Sequence, residues 1–219
     1  MKKRTIPDLF VWIVLVGPLL YLYGVYNSLP ERIPVHWGLS GKPNGFGPKS
    51  QAWITSLLLV AVAAVLYLVI KNLPRIDPKK TARQSAAAFH QIAVALVFFF
   101  SALNLGINYA TRYGGLALPK LIFPVTGLFF MYLGNLMHSI KPNYFVGIRV
   151  PWTLEDPDNW RATHQMGSKL WFAGGLVITI SSLLLPVAVA QVIFILCTSL
   201  LVLVPIGFSF MYFKKNPKT

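Results

Sequence analysis

Two clusters in the chain carry residue types that could do chemistry. In the first, "VHW" at residues 35–37, His36 stands beside Trp37 in a stretch punctuated by Gly and Pro. A histidine can hold a metal or a ligand, but a metal site needs several ligands at suitable spacing and none accompanies His36, which therefore reads as a structural hydrogen-bonder. The second cluster lies in "GIRVPWTLEDPDNWRATH", residues 147–164, and contains Arg149, Trp160 and His164. Arg149 sits between Gly147 and Pro151, in backbone poised to present a side chain. Its planar fork could grip a carboxylate or a peptide, or could pair with Glu155, Asp156 or Asp158. Trp160 and His164 are four residues apart, one turn of a helix, and would form an adjoining wall.

The chemistry of an enzyme is not visible. There is no His-Glu-x-x-His helix, no Ser-His-Asp set on shared elements and no Gly-rich phosphate loop. His90 and His138 fall near span ends with no neighbouring carboxylate in sequence, and Asp158 is six residues from His164, off its helical face. The single cysteine, Cys197, excludes an intrachain disulfide and reads as a small buried hydrophobe. The chain is expected to be non-enzymatic, with no catalytic residue, no metal and no cofactor.

The elements that must position these residues are membrane helices. Of 219 residues 55% are hydrophobic and 12% charged, about half the charged share of a soluble domain. The apolar residues form blocks, which read as spans at 9–26, 53–71, 86–110, 116–137, 168–187 and 190–213. The first reads as a retained anchor, because no small-x-small cleavage site follows "YLYGVYNSLP". No Asp or Glu falls inside these spans, which disfavours an ion-coupled carrier. No three-plus-three repeat is apparent.

The net charge of +14 belongs to topology and not to direct nucleic-acid binding. Lys and Arg number 3 before the first span, 5 at 71–83, 4 at 141–169 and 3 at 214–218, against 3 at 32–49 and 2 at 112–120. Basic loops stay inside, so both termini are expected in the cytoplasm, residues 29–50 outside and residues 138–169 inside.

Local signals refine the connections. Asn44-Gly45 is a turn dipeptide, which predicts a hairpin-like outer cap with Trp37, Phe46 and Trp53 at headgroup level. Asp156-Pro157 reads as an N-cap followed by Pro at the first helical position. From there Trp160, His164, Gly167 and Trp171 form one stripe and Arg161, Gln165 and Lys169 a polar one, the pattern of a cytoplasmic interfacial helix running into the fifth span. Small residues (Ala86, Ala87, Ala88, Gly127, Gly134, Gly174, Gly175) should let helices approach, and Asn104, Asn108 and Asn135 should hydrogen-bond between them. The fold class is an all-α integral membrane protein of about six helices.

"IPVHWGLSGKPNGFG" resembles the signature of a bacterial domain of unknown function, number 1648, over about residues 15–60. "KPNYFVGIRVPWTLEDPDNWRATHQMGSKLW" resembles the module of the SdpI immunity protein family, over about residues 120–212. Gly147, Ile148, Arg149, Pro151, Trp152, Thr153, Trp160, Thr163, His164 and Gly167 stand where that pattern puts them. The resemblance implies a multi-pass protein of the bacterial plasma membrane that gives immunity to a secreted antimicrobial peptide. It also implies signalling, with a small repressor protein held at the membrane. The partners would be the bilayer, a secreted toxin peptide outside and the repressor inside. The alternative is a small-molecule or lipid transporter. The chain divides into residues 1–60 (first span and cap), 61–115 (central spans), 116–213 (SdpI-like module) and 214–219 (basic tail). The ligand- or partner-binding residues are expected to be Arg149, Trp152, Thr153, Trp160, His164, His36 and Trp37.

Overall fold

A computed structural model describes residues 8–38, 41–113 and 118–216. The basic flank Lys2, Lys3 and Arg4, the expected start of the fourth span at 116–117, Ser40 within the cap, and tail residues 217–219 lie outside the described residues. All six apolar blocks are helices long enough to cross a bilayer, from 18 to 29 residues. They are α1 (Asp8–Val25), α2 (Gln51–Ile76), α3 (Ala86–Tyr113), α4 (Pro119–Met137), then, after the short α5 (Pro151–Glu155), α6 (Pro157–Leu184) and α7 (Val187–Lys215). The chain is a multi-pass, all-α membrane protein.

Between α1 and α2, β1 (Arg32–Trp37) pairs antiparallel with β2 (Pro43–Pro48). This hairpin caps one end of the bundle; the opposite end carries Asp8, Lys215 and the long connection after α4. Leu29 and Ile33 are buried against Leu22 and Val25 of α1 and Ala52 of α2, which seats the hairpin on the helices. Lys49 Nζ donates to Glu31 at 2.8 Å across its base, and that bond raises the lysine above its ordinary pKa. The expected turn at Asn44-Gly45 is corrected. Both residues lie in β2, and the reversal is made at Gly41, whose φ is +75°. Gly45 instead faces His36 across the ladder, where an added Cβ would lie 3.0 Å from His36 Cβ. A turn dipeptide marks a backbone preference, and the register of this hairpin, irregular around His36, used the glycine for close approach.

The helices are joined by two devices. Between α2 and α3, Ser56 Oγ donates to Asn104 Oδ1 at 2.8 Å, while Asn108 Nδ2 donates to Ser56 Oγ (3.0 Å) and Asn104 Oδ1 (2.9 Å). All three residues are buried, so the polar atoms satisfy one another where no water can. Asn135 does not join in: it is exposed, with no hydrogen bond among the described residues. Between α4 and α6 the device is absence of side chain, with Gly127 and Gly134 set against Gly175 and the Ser168–Phe172 backbone. Ala88 is buried in the same spirit, but Ala86 and Ala87 are exposed.

The expected absence of acids from the spans holds only for the bounds drawn from hydropathy. α1 begins at Asp8, which accepts hydrogen bonds from Tyr67 Oη (2.7 Å) and Lys71 Nζ, and lies 3.8 Å from His90 Nε2. His90 therefore does have a carboxylate neighbour, one that is 82 positions away in the chain and invisible to spacing.

Candidate functional site

The motif segment folds into a tightly hydrogen-bonded cluster, a knot of contacts and not of chain, at the end opposite the hairpin. Asp156 caps α6 as its sequence implies, accepting from the Asp158 N–H at 2.9 Å, with Pro157 at the first helical position. This fixes where α6 starts and so aims Trp160 and His164. Both are almost fully buried, at 2% and 1% exposure, and their rings stack with centroids 4.0 Å apart. Trp160 Nε1 donates to the Ile140 carbonyl at 2.8 Å. The expected interfacial helix is thus the first part of a continuous fifth span, and its aromatic stripe faces protein and not headgroups. Trp171, farther along, donates from Nε1 to the Leu201 carbonyl of α7 at 2.9 Å.

His164 Nδ1 donates to the Trp160 carbonyl (2.8 Å), and its Nε2 accepts from the Ile148 N–H (3.0 Å). A carbonyl can only accept and an amide N–H can only donate, so the two bonds define a neutral imidazole protonated at Nδ1. Gly147 has φ +122°, and its Cα lies so close to His164 Nε2 and Trp160 that a Cβ has no room. That glycine carries the chain over the stacked rings.

Thr153 and Trp152 close the knot from the other side. Thr153, fully buried, accepts from the Val150 N–H at 3.0 Å and donates to the Ile148 carbonyl at 2.8 Å. Trp152 Nε1 donates to Ser209 Oγ of α7 at 2.8 Å, and its ring packs on Phe210 and Phe213.

Arg149 differs from these. It is exposed, and Nη1 donates to the Tyr144 carbonyl at 2.5 Å. The expected ion pair with Glu155, Asp156 or Asp158 is not the bond that the structure makes. Asp158 pairs with Arg161 instead, at 2.9 Å. The cap of α6 turns Asp158 toward its own helix, three residues on. At the other end of the bundle His36 Nδ1 donates to Asn44 Oδ1 at 2.5 Å, the structural role that its isolation implied. Trp37 borders a shallow apolar groove with Phe123 and Phe194. The structure brings Arg149, Trp152, Thr153, Trp160 and His164 together and leaves His36 and Trp37 across the membrane from them.

Spacing did not reveal what holds the knot to the rest of the protein. Asn143, fully buried, accepts from the Phe145 and Val146 N–H groups (2.8 and 2.7 Å) and donates to the Lys141 and Val146 carbonyls (3.0 and 2.8 Å). The α2–α3 connection grips the same segment. Asp77 accepts from the Tyr144 N–H at 2.9 Å, Thr81 donates to the Pro142 carbonyl at 2.7 Å, and Ser85 accepts from the Lys141 N–H at 2.8 Å. Lys79 reaches the Leu154 carbonyl and lies over the Tyr144 ring. In α6, Asn159 donates to the Ser209 carbonyl (3.0 Å) and accepts from Thr163 (2.9 Å), both fully buried. Asn143, in the "KPN" turn, could have been found as a residue that bonds its own loop; Ser209 carries no local signal at all. The arrangement is a densely hydrogen-bonded platform with Arg149 and Tyr144 on its exposed surface.

Residues 139–210, which contain nearly all of the knot, match the SdpI/YfhL protein family, and residues 13–60, which contain the hairpin, match the domain of unknown function DUF1648. The immunity protein SdpI of Bacillus subtilis is 24% identical over 216 residues, covering 98% of each chain. An uncharacterized protein of Archaeoglobus fulgidus is 28% identical over 146 residues, covering 52% of this chain and 80% of its own. No solved structure matches the chain.

Proposed function

We propose that the chain is an SdpI-type membrane protein that protects its cell against a secreted antimicrobial peptide, a reading supported by the DUF1648 match at residues 13–60 and the SdpI/YfhL match at residues 139–210. The observation that carries the reading is the alignment, end to end, with a protein named for immunity. The hairpin cap is the outer surface that meets the toxin. The knot is the inner surface, and Arg149 on it contacts a small repressor protein held at the membrane. The four segments 1–60, 61–115, 116–213 and 214–219 are its working division. The reading is non-enzymatic: both nitrogens of His164 are engaged by backbone, which leaves neither a proton nor a lone pair for acid–base work. An apolar groove of ≈ 400 Å³ between α3 and α4, lined by Phe98, Phe99, Phe129 and Tyr132, favours the transporter alternative, with lipid as its cargo.

The sides rest on the bias of Lys and Arg among the connections. In a Cys197→Ser background, Lys42→Cys reacts with an impermeant maleimide on intact cells and Glu155→Cys reacts only after permeabilisation. The reverse labelling overturns the orientation and both surface assignments.

Function is read from survival. Cells with and without the chain are challenged with secreted antimicrobial peptides, starting with any encoded beside its gene; the chain raises survival under immunity and has no effect if lipid transport is its work. Arg149→Lys keeps normal membrane levels, since an exposed side chain contributes about 1 kcal/mol or less to stability. It nevertheless loses protection or signalling, because an ammonium cannot reproduce a two-pronged grip. Wild-type behaviour of this variant removes Arg149 from the working surface.

A further inference from the structure

Between residues 138–142 and the first turns of α6 lies a half-enclosed cavity of ≈ 320 Å³ that the knot does not use. Its walls carry His138, Lys141, Arg161 and Gln165, with Asp158 as the one carboxylate. The polar atoms of Trp160 and His164, which form its back wall, are all spoken for by backbone. The wall groups are not. Lys141 is engaged only through its backbone, its N–H on Ser85 and its carbonyl on Asn143, while its ammonium, the His138 ring and the Gln165 amide make no hydrogen bond among the described residues. Arg161 gives one N–H to Asp158, whose charge it balances, and keeps the rest of its fork.

The cavity therefore holds a surplus of donors and of positive charge, with its one carboxylate already paired. One carboxylate with two cations beside it is the wrong inventory for a metal ion. It suits a tetrahedral anion with several acceptor oxygens, because Arg and Lys donors to phosphate make short, charge-assisted bonds. The position fits as well. His138 directly follows the last residue of α4, and Arg161 lies in the second turn of α6, so the cavity opens where the apolar helices end. That is the depth of lipid phosphates, and it is also open to phosphate from water.

We propose that this cavity is a phosphate-binding site, taking the phosphate of an anionic phospholipid headgroup or inorganic phosphate. The site does not depend on the immunity reading, and its tests do not involve a toxin. In the first arm, the purified full chain is incubated in mixed micelles of equal phosphatidylglycerol and phosphatidylcholine, and retained lipid is read by native mass spectrometry. In the second, its unfolding temperature is compared in inorganic phosphate and in chloride at equal ionic strength. Retention of phosphatidylglycerol over phosphatidylcholine identifies the lipid source; stabilisation by phosphate alone identifies the free anion. Lys141→Gln combined with Arg161→Gln reduces whichever signal is present by about tenfold, and Lys215→Gln leaves it unchanged. If the double variant accumulates poorly, Gln165→Leu, at an exposed position, reads the same site with a smaller loss. No selective signal in either arm overturns the proposal, as does an equal loss in Lys215→Gln.

Discussion

Gly147→Ala lowers the stability of the protein by about 2–4 kcal/mol, the sum of a strained positive φ and a lost buried hydrogen bond. Gly147 sits at φ +122°, a conformation that alanine adopts only under strain. The new Cβ would also run into His164 Nε2 and lie 3.1 Å from Trp160 Cη2. Neither ring can retreat. His164 is held at both nitrogens, and Trp160 is pinned to the Ile140 carbonyl. The backbone must move, and the Ile148 N–H bond to His164 goes with it. Gly207→Ala is the control, since a Cβ there meets nothing within 4 Å. It should change stability by less than about 0.5 kcal/mol. Thermal or denaturant unfolding in detergent, followed by tryptophan fluorescence, measures both. Equal midpoints for the two variants would show that the knot tolerates a side chain and that its glycine is incidental.

Gly175→Val separates α4 from α6, at a cost of about 3 kcal/mol or more. A Cβ at Gly175 would stand 2.5 Å from the Gly127 carbonyl oxygen and 2.7 Å from the Met131 backbone nitrogen; one at Gly127 would stand 2.6 Å from the Gly175 carbonyl oxygen. Backbone meets backbone, so no rotamer change relieves the overlap. Lipid tails are as apolar as leucine and supply no hydrophobic force to push the helices back together. The close crossing also holds the Ser168 Oγ bond to the Gly134 carbonyl at 2.6 Å, which a wider spacing breaks. Gly174→Ala should cost only about 1 kcal/mol, because a Cβ there meets the Leu201 side chain, which can turn away. Size-exclusion profiles and melting of the solubilised protein rank the two. If Gly174→Ala proves the more damaging, the crossing is not built on backbone contact.

What the sequence determined by itself is whatever depends on neighbouring residues. Six helices follow from six apolar blocks, because burying backbone in hydrocarbon forces each block to satisfy its own hydrogen bonds. The start of α6 follows from Asp156-Pro157, a capping acceptor before a fixed φ. A hairpin between α1 and α2 follows from Gly and Pro interrupting a short extended stretch.

Tertiary structure alone decided which way the helices face and which partners the polar groups take. In a soluble protein an apolar stripe must turn inward, but here lipid and protein interior are both apolar, so the Trp160–His164–Gly167 stripe could have faced either. It faced the knot because its ring nitrogens needed the Ile140 carbonyl and the Ile148 N–H, groups that lie on another segment. The same reason moved Asp158 to Arg161, left Arg149 on the Tyr144 carbonyl, and gathered Asp8 with Tyr67, Lys71 and His90 from three helices. Spacing along the chain reports a shared face on one helix. It says nothing about which residues, dozens of positions away, the packing of the bundle will set against that face.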